Sequence, residues 1–252
     1  MPVNGYSYFG PLFWSMTYLG FDYDEPFGFF AVNNASQDAF LVFRGTMSDA
    51  DGDQDAKFFQ TPYLFAPNYG QVHIGFQEIY ATLQAQIYAA ITAANGATPF
   101  KRLFFTGHSL GCGLSSLAVP DVIANVKINP ASVPRLHYIL ASPRVGDPQY
   151  AYMMDSNGVP TYRIVNTEDI VPDLPLPLLA GTVYKHIGTP VDFTAQYGTT
   201  DDNHSLDVAY DYAIRHPANP QGKAQVRGLG LAKHPGIRVA MDGKLMRLST
   251  PA

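Results

Sequence analysis

The sequence predicts a single α/β domain with a mainly parallel central sheet and helices on both of its faces. Near-continuous apolar runs of strand length alternate along the chain with segments whose apolar residues recur at helical spacing. The chain has 252 residues, which is enough for one sizeable core. Hydrophobic residues make up 46% of the chain and charged residues only 15%, a composition typical of a packed globular body.

The predicted elements follow a regular order. A polar turn separates the first two strands, and Asn95-Gly96 gives the long amphipathic helix a C-terminal stop. Because helices connect the later strands, those strands are expected to run parallel. The elements are strands at 27–32 and 39–44, a helix at 76–94, a strand at 102–106, a helix at 110–119, a strand at 136–141, a helix at 150–156 and a strand at 162–166.

Composition and charge argue against several classes of protein. The net charge is −5 and no long basic run exists, so a nucleic-acid partner is not expected. No apolar stretch approaches the roughly 18 residues of a transmembrane helix. The first six residues lack a basic region followed by an apolar one, so we expect no signal peptide. Cys112 is the only cysteine, which rules out an internal disulfide and slightly favours the cytoplasm over a secreted mature form.

The run Gly107-His108-Ser109-Leu110-Gly111 has the pattern G-x-S-x-G and lies between a predicted strand and a predicted helix. That context is typical of a nucleophile elbow, a strained turn that exposes the serine at the C-terminal edge of a sheet. Side chains two residues to either side of the serine would clash in such a turn, which accounts for the glycines. The N-terminus of the following helix would favour negative charge that develops at Ser109.

A serine hydroxyl needs a base, and the base needs an acid that orients it. In proteins with this elbow, the acid and then the histidine follow the serine along the chain. Asp169 follows the predicted strand at 162–166 and is predicted to be the acid, because Ile170-Val171-Pro172 would stiffen its loop and exclude water. Glu168 and Asp173 are interpreted as solvated loop charges.

Seven histidines compete for the role of the base. His204 is predicted to fill it, because it follows the acid and lies in a polar loop that opens a helix, where a side chain can reach the edge of the sheet. His108 is expected to point away from Ser109 across the turn. Chain order, a strand-like context or a place in the tail disfavours the rest, which are His73, His137, His186, His216 and His234.

An oxyanion hole needs two donors, one directly after the nucleophile and one from an earlier loop at a strand end. The backbone N–H of Leu110 is predicted to be the first. Thr46 is predicted to supply the second, because the run from Phe43 to Thr46 ends an earlier strand. The hydroxyl of Thr46 would offer a further hydrogen bond. An ordinary turn at Gly45-Thr46 is the alternative interpretation.

Several separate segments resemble one family, the class 3 or fungal-type lipases of the α/β-hydrolase fold. The resemblance is collinear and covers about 27–212, with a C-terminal extension at 217–252 that is expected to be a hairpin or loop packed at the edge of the domain. It implies Ser109 as nucleophile, Asp169 as acid, His204 as base, and Thr46 and Leu110 as oxyanion donors. The matching segments are Phe43–Thr46, Val72–Phe76, Gly107–Gly111, Ser142–Asp147, Tyr162–Asn166, Asp169–Pro175 and Asn203–Leu206.

The chain departs from the family pattern in three respects. The fungal enzymes of the family are secreted and disulfide-bonded, whereas a single cysteine forms no internal disulfide. Cys112 stands after the elbow, where the family has glycine, and is interpreted as a small packing residue.

In the region where the family carries a lid, 47–67 has an acidic first half and an apolar second half, which we interpret as a mobile cover. The acidic run at 49–55 is similar to the start of a calcium loop, but Gln60 stands where the bidentate Glu belongs, so no metal is expected. The apolar half carries Phe58, Phe59, Tyr63, Leu64 and Phe65, expected to lie over an acyl pocket or a lipid interface.

The sequence therefore predicts a serine carboxylic-ester hydrolase, and the resemblance implies a triacylglycerol-type lipase that works through an acyl-enzyme. A small-ester esterase or a phospholipase is the alternative within the same class. A lipase-like binding protein without activity is the alternative from another class, and the intact set of Ser109, Asp169 and His204 argues against it. No metal or organic cofactor is expected. The expected partners are an acyl ester or lipid substrate and, transiently, a lipid interface.

Overall fold

The computed structural model describes residues 3–18, 21–45, 58–97, 99–179 and 181–221, and the backbone of 238–239 and 245–246. The helices are α1 (Ile74–Ala97), α2 (Leu110–Asn125), α3 (Pro148–Ser156), α4 (Thr200–His204) and α5 (Asp211–Arg215), with a 3-10 helix at Val171–Asp173 and a π-helical turn at Leu206–Tyr210. The strands are β1 (Tyr6–Tyr18), β2 (Phe21–Asn33), β3 (Asp38–Phe43), β4 (Gln60–Pro62), β5 (Gln71–His73), β6 (Arg102–His108), β7 (Arg135–Leu140), β8 (Thr161–Asn166), β9 (Leu178–Leu179), β10 (Thr182–Val183), β11 (Thr189–Phe193), β12 (Arg238–Val239) and β13 (Leu245–Met246).

In the described part of the chain, seven strands form the central sheet, in the order β1-β2-β3-β6-β7-β8-β11. β2 is antiparallel to both β1 and β3, and from β3 onward every neighbouring pair is parallel. The predicted α/β fold with a mainly parallel sheet is confirmed. Since the C-terminal ends of parallel strands meet at one edge of a sheet, the residues that follow β3, β6 and β8 meet there.

The sheet is packed on both faces. On the first face, α1 and α2 bury side chains against the strands, with Tyr80, Leu83 and Ile87 of α1 fully buried. On the second face, the π-helical turn and α5 contribute Ala209, Tyr210 and Ala213 to a smaller cluster with the C-terminal half of β8 and with β11. The sequence predicted more core positions in α1 than in any other helix, and α1 does pack into the main core.

A row of aromatic rings crosses the second face of the sheet from β3 to β8. Phe40 stacks on Phe104 at a centroid distance of 5.1 Å, and Tyr138 stacks on Tyr162 at 5.2 Å. Phe104 and Tyr138 lie 6.3 Å apart and join the two pairs. Neighbouring strands place such rings in register, so their stacking stabilises the strand order.

Two strands of the sheet were not predicted. The 13 residues of β1 pair with β2, so the described sheet begins at Tyr6. Three aromatic residues of the first 30 positions, Trp14, Phe27 and Phe30, are buried in the core together with Leu12. The second unpredicted strand, β11, contains Pro190; it lies at the edge of the sheet, where a missing backbone donor is tolerated.

The C-terminal extension at 217–252 is described only in part. Residues 217–221 follow α5, and Pro217 and Pro220 lie beside Ile164 and Val191. Farther on, β12 and β13 pair as a short antiparallel ladder. In the described part of the chain, no helix has the length and apolar character that crossing a membrane requires.

Candidate active site

The predicted elbow lies between β6 and α2. Ser109 adopts φ 56° and ψ −129°, a backbone conformation that is costly for a residue with a side chain. A Cβ on Gly107 would lie 2.2 Å from the carbonyl oxygen of Gly111, and a Cβ on Gly111 would lie 2.4 Å from the carbonyl oxygen of Arg44. Both glycines are therefore required by close backbone approaches, as the sequence predicted.

The structure brings Ser109, His204 and Asp169 together in one hydrogen-bonded chain. His204 Nδ1 lies 2.8 Å from Asp169 Oδ2, and His204 Nε2 lies 2.8 Å from Ser109 Oγ. A carboxylate only accepts hydrogen bonds, so Nδ1 is the donor and carries the ring proton. The lone pair on Nε2 then faces the hydroxyl of Ser109, as a base requires.

Asp169 is held in a closed, dry environment. Its side chain has no exposed surface, whereas 22% of the His204 side chain is exposed. The backbone N–H of Val171 donates to Asp169 Oδ1 at 2.9 Å, so the loop after the acid supplies a partner for its second oxygen. The segment after the acid therefore contacts the carboxylate through its backbone, at Val171.

Tyr210 is a further partner of the acid that the sequence analysis missed. Its hydroxyl donates to Asp169 Oδ2 at 2.7 Å and accepts from the backbone N–H of Asn166 at 3.1 Å. Burial, with the nearby Asp169 as a smaller cause, raises the pKa of Tyr210. The tyrosine therefore stays protonated and keeps donating to the acid.

His108 does not point away from the site, so that prediction is wrong. Its Nε2 lies 2.8 Å from the carbonyl oxygen of His204, and the two rings are 4.7 Å apart between centroids. The side chain of His108 lies on the second face of the sheet, the face on which the His204 loop packs. Its direction follows from strand alternation in β6 rather than from the turn.

Two other histidines of the described chain are enclosed by parts of the fold away from Ser109. His137 is fully buried between the hydroxyls of Ser115 and Thr161, and burial lowers its pKa to about 3. His186 is half-buried, and burial with the nearby arginines Arg163 and Arg144 lowers its pKa to about 3. Neither reaches Ser109, in agreement with the sequence analysis.

A small cavity of about 140 Å³ opens beside the nucleophile. It is apolar apart from His73 and Ser109, and burial lowers the pKa of His73 to about 4, which keeps that imidazole neutral. Phe76 stacks on His73 at 4.2 Å and fixes its ring. The lining consists of Phe58, His73, Phe76, Ser109, Leu110, Pro143, Val171, Leu174 and Pro175.

The structure describes only one of the two predicted oxyanion donors. Leu110 is the first residue of α2, directly after Ser109. Thr46 lies outside the described residues. Gly45, the residue before it, passes so close to the elbow that a Cβ there would lie 3.1 Å from Ser109 Cβ. The chain from β3 therefore passes beside the nucleophile just before position 46.

The predicted lid is described only from Phe58 onward, and the acidic run at 49–55 lies outside the described residues. Phe58, Phe59 and Leu64 are exposed, and Phe58 also lines the cavity beside Ser109. Tyr63 packs in the core and donates to the carbonyl of Leu117, and Phe65 packs against the same core. The expectation that these two rings cover an acyl pocket is therefore wrong.

Cys112 packs under the elbow, fully buried, as predicted.

Comparison with known proteins agrees with this geometry. A family model described as "Lipase (class 3)" matches residues 40–179, more than half of the chain. The chain belongs to the class 3 lipase family. A lipase from Rhizomucor miehei is 33% identical over 146 residues, 58% of this chain and 39% of that protein. A secreted mono- and diacylglycerol lipase from Fusarium solani is 28% identical over 176 residues, 70% of this chain and 49% of that protein.

Solved structures of fungal lipases identify the fold. A structure of lipase II from Rhizopus niveus is similar with a TM-score of 0.61 and 26% identity, over 76% of this chain and 68% of that one. The fold is therefore that of the fungal lipases, the α/β-hydrolase fold. The match to the curated lipase from Rhizomucor miehei spans about two fifths of that protein's length.

The predicted compartment is wrong. The single cysteine slightly favoured the cytoplasm, but relatives from Fusarium solani and Penicillium cyclopium are named as secreted lipases, which points to an extracellular location. A cysteine count bears only on whether an internal disulfide can form, and export does not require one.

Proposed function

We propose that this class 3 lipase hydrolyses carboxylic esters of lipids, acylglycerols above all, through a covalent acyl-enzyme. The observation that carries the proposal is the chain Ser109–His204–Asp169, with both hydrogen bonds at 2.8 Å on a strained elbow. Such an arrangement makes a serine hydroxyl nucleophilic without any cofactor. The strain at Ser109 supports it further, because costly backbone conformations persist where they hold a reacting group in place.

The proposed mechanism has two halves. Ser109 Oγ attacks the ester carbonyl while His204 Nε2 takes its proton, and Asp169 stabilises the imidazolium that forms. His204 then gives the proton to the leaving alcohol, and the acyl group stays on Ser109. Water repeats the sequence: it attacks the acyl carbonyl while His204 takes its proton, the acyl–serine bond breaks, and His204 returns the proton to Ser109 Oγ as the carboxylic acid leaves.

The negative charge of each tetrahedral intermediate needs donors that are already in position. We assign this role to the backbone N–H of Leu110 at the start of α2 and to Thr46. The helix N-terminus at Leu110 adds a favourable partial positive charge. The approach of Gly45 to the elbow supports the placement of the next residue at the oxyanion.

The surroundings of Ser109 support a lipid ester as the substrate. The neighbouring cavity presents aromatic and aliphatic side chains, and its one histidine, His73, is neutral at pH 7. An apolar wall of this kind stabilises an acyl chain by removing its surface from water. The names of the relatives from Rhizomucor miehei and Fusarium solani agree with this substrate class.

Exposed apolar side chains around the cavity support transient contact with a lipid interface. Gln60 donates to the carbonyl of Val183, and Tyr184 donates to the carbonyl of Phe58, so the β9–β10 hairpin is tied to the segment that lines the cavity. Grouped apolar exposure is unusual on a surface that contacts only water. The exposed Leu174 lines the cavity, and the exposed apolar residues that adjoin its lining residues in the chain or belong to the tied hairpin are Phe59, Ile170, Leu176, Leu178 and Val183.

A substrate panel tests the proposed function. Hydrolysis of p-nitrophenyl esters from acetyl to palmitoyl, of di- and triacylglycerols and of phosphatidylcholine vesicles is measured for the wild type and for Ser109→Ala. We expect hydrolysis of acylglycerols and of the longer esters by the wild type and its near-complete loss in the variant. Preference for phosphatidylcholine would favour a phospholipase, and preference for acetyl esters would favour a small-ester esterase. Lipid binding without hydrolysis would favour a binding protein.

A further inference from the structure

His108 contacts the main chain of His204 rather than its ring nitrogens. His108 is the last residue of β6, so it directly precedes Ser109 on the strand that carries the elbow. Its Nε2 lies 2.8 Å from the His204 carbonyl oxygen. The same ring packs 4.7 Å from the ring of His204 and 5.7 Å, edge to face, from that of Tyr210.

The hydrogen bond fixes the protonation of His108. A carbonyl oxygen only accepts, so Nε2 carries the proton and Nδ1 is left with its lone pair. A Cβ on Gly45 would lie 3.3 Å from that Nδ1, so the second nitrogen faces the chain that follows β3. Burial, together with the nearby His204, lowers the pKa of His108 to about 4, and the ring is neutral at pH 7.

The carbonyl that His108 contacts needs such a partner. His204 is the last residue of α4, a helix of five residues, and carbonyls at the C-terminus of a helix have no partner within it. So short a helix is marginal by itself and is held by contacts with the rest of the molecule. The position of the His204 backbone therefore depends on groups outside α4.

We propose that His108 is a positioning residue that holds the backbone of His204 through its Nε2–H, so that two consecutive residues of the elbow fix the base. Ser109 contacts the imidazole at Nε2, and His108 contacts the main chain of the same residue. Because both come from the end of β6, the distance between nucleophile and base is set by one rigid strand. The catalytic part of this inference rests on the proposed function.

Two substitutions separate the hydrogen bond from the ring packing. His108→Phe keeps an aromatic ring against His204 and Tyr210 but cannot donate. His108→Gln loses the ring but keeps an N–H donor at similar reach. Since misplacing a catalytic group by a fraction of its contact distance is costly, we expect kcat to fall about 10- to 100-fold in His108→Phe. We expect KM to stay within about twofold, and His108→Gln to keep kcat within about fivefold of the wild type.

His137→Gln is the matched control. It replaces another buried histidine of the central sheet, one whose two ring nitrogens lie beside the hydroxyls of Ser115 and Thr161. We expect it to lower the melting temperature and to leave kcat unchanged. Circular dichroism and thermal melts of all variants show whether each is folded.

Hydrogen exchange of the backbone amides at 203–210 provides a second readout that does not need activity. We expect faster exchange there in His108→Phe, and wild-type exchange in His108→Gln and His137→Gln. Wild-type exchange and kcat in His108→Phe would overturn the proposal, as would equal damage in His108→Phe and His108→Gln. If no ester is hydrolysed by the wild type but this exchange pattern is found, the proposed function fails while the positioning of His204 stands.

Discussion

At the scale of single residues, chain order was enough to select Ser109, Asp169 and His204 from many candidates. The elbow pattern fixes the first, and the strand at 162–166 and the loop before the last helices fix the others. The role of Tyr210 and the contact between His108 and His204 were not predictable. An aromatic residue in a helix has the same pattern whether it packs or donates. Strand alternation gives the face on which His108 lies, but not that the His204 loop covers that face.

Tyr210→Phe tests the third partner of the acid. The substitution removes the hydrogen bond to Asp169 Oδ2 and leaves the backbone N–H of Asn166 without its acceptor. We expect the free energy of unfolding to fall by about 1–3 kcal/mol and kcat to fall with little change in KM. Urea unfolding and steady-state kinetics measure these two effects.

Tyr212→Phe is the control for that variant, because it removes the hydroxyl of a neighbouring tyrosine whose ring stacks on His216 of the C-terminal segment. We expect it to behave as the wild type. Wild-type kcat in Tyr210→Phe would mean that His204 and the loop after Asp169 orient the acid without help from the tyrosine.

At the scale of elements, the sequence predicted most of the parallel strands and all the long helices. It missed β11, a short strand that contains Pro190 and in which only Val191 and Phe193 are buried, in alternation. It also placed His204 in a loop, where the structure has the short helix α4 and a π-helical turn. Elements of five residues give too few turns for a helical period to be seen.

The β9–β10 hairpin is the element that we expect to meet a lipid interface. Val183→Ser removes apolar surface from its exposed rim, where Val183 is 46% exposed. Since burying such a side chain contributes about 1.5 kcal/mol, we expect up to about tenfold weaker binding to neutral lipid vesicles. The rate on emulsified triacylglycerol should fall accordingly, whereas the rate on a dissolved monomeric ester should not change.

Val3→Ser is the matched control, because Val3 is 61% exposed and lies near the turn between β2 and β3, at the edge of the sheet opposite Ser109. We expect unchanged vesicle binding and an unchanged rate on emulsion. If both variants lose the same affinity, lipid contact is not localised at the hairpin.

At the scale of the whole molecule, four buried or half-buried imidazoles of the described residues make stability depend on pH. Their pKa values are lowered by burial, so the folded protein keeps them neutral while the unfolded chain binds protons at about pH 6.5. Stability is therefore fully present above pH 6.5 and is lost as the pH falls through that value toward 4. The four are His73 and His108, with pKa values of about 4, and His137 and His186, with values of about 3.

Urea unfolding at pH 7.5, 6.0 and 5.0 measures this dependence. Each histidine contributes a slope of at most about 1.4 kcal/mol per pH unit below pH 6.5, in a range where carboxylates of ordinary pKa remain ionised. In His137→Gln, the slope of the free energy of unfolding against pH should decrease by the contribution of one histidine. A free energy of unfolding that is constant from pH 7.5 to 5.0 would contradict the neutral burial of these groups.

Properties of the whole protein were the least predictable from the sequence. Fold class follows from local patterns that repeat along the chain, and it was predicted correctly. The compartment was not, because Cys112 and the absence of disulfides carry no export signal of their own. Substrate preference within lipid esters depends on the shape of the cavity beside Ser109, and residue spacing gives no measure of it.

Covalent trapping of the nucleophile is the most direct test of the central claim, that Ser109 attacks lipid esters with His204 as its base. An alkyl p-nitrophenyl phosphonate reacts with an activated serine, releases p-nitrophenol and leaves a phosphonyl group on the oxygen. Intact mass and peptide mapping then locate the label. The account predicts one adduct per chain, on Ser109, with loss of all ester hydrolysis and with no labelling of Ser109→Ala. An adduct on another residue, or a folded Ser109→Ala that still hydrolyses esters at the wild-type rate, would contradict it.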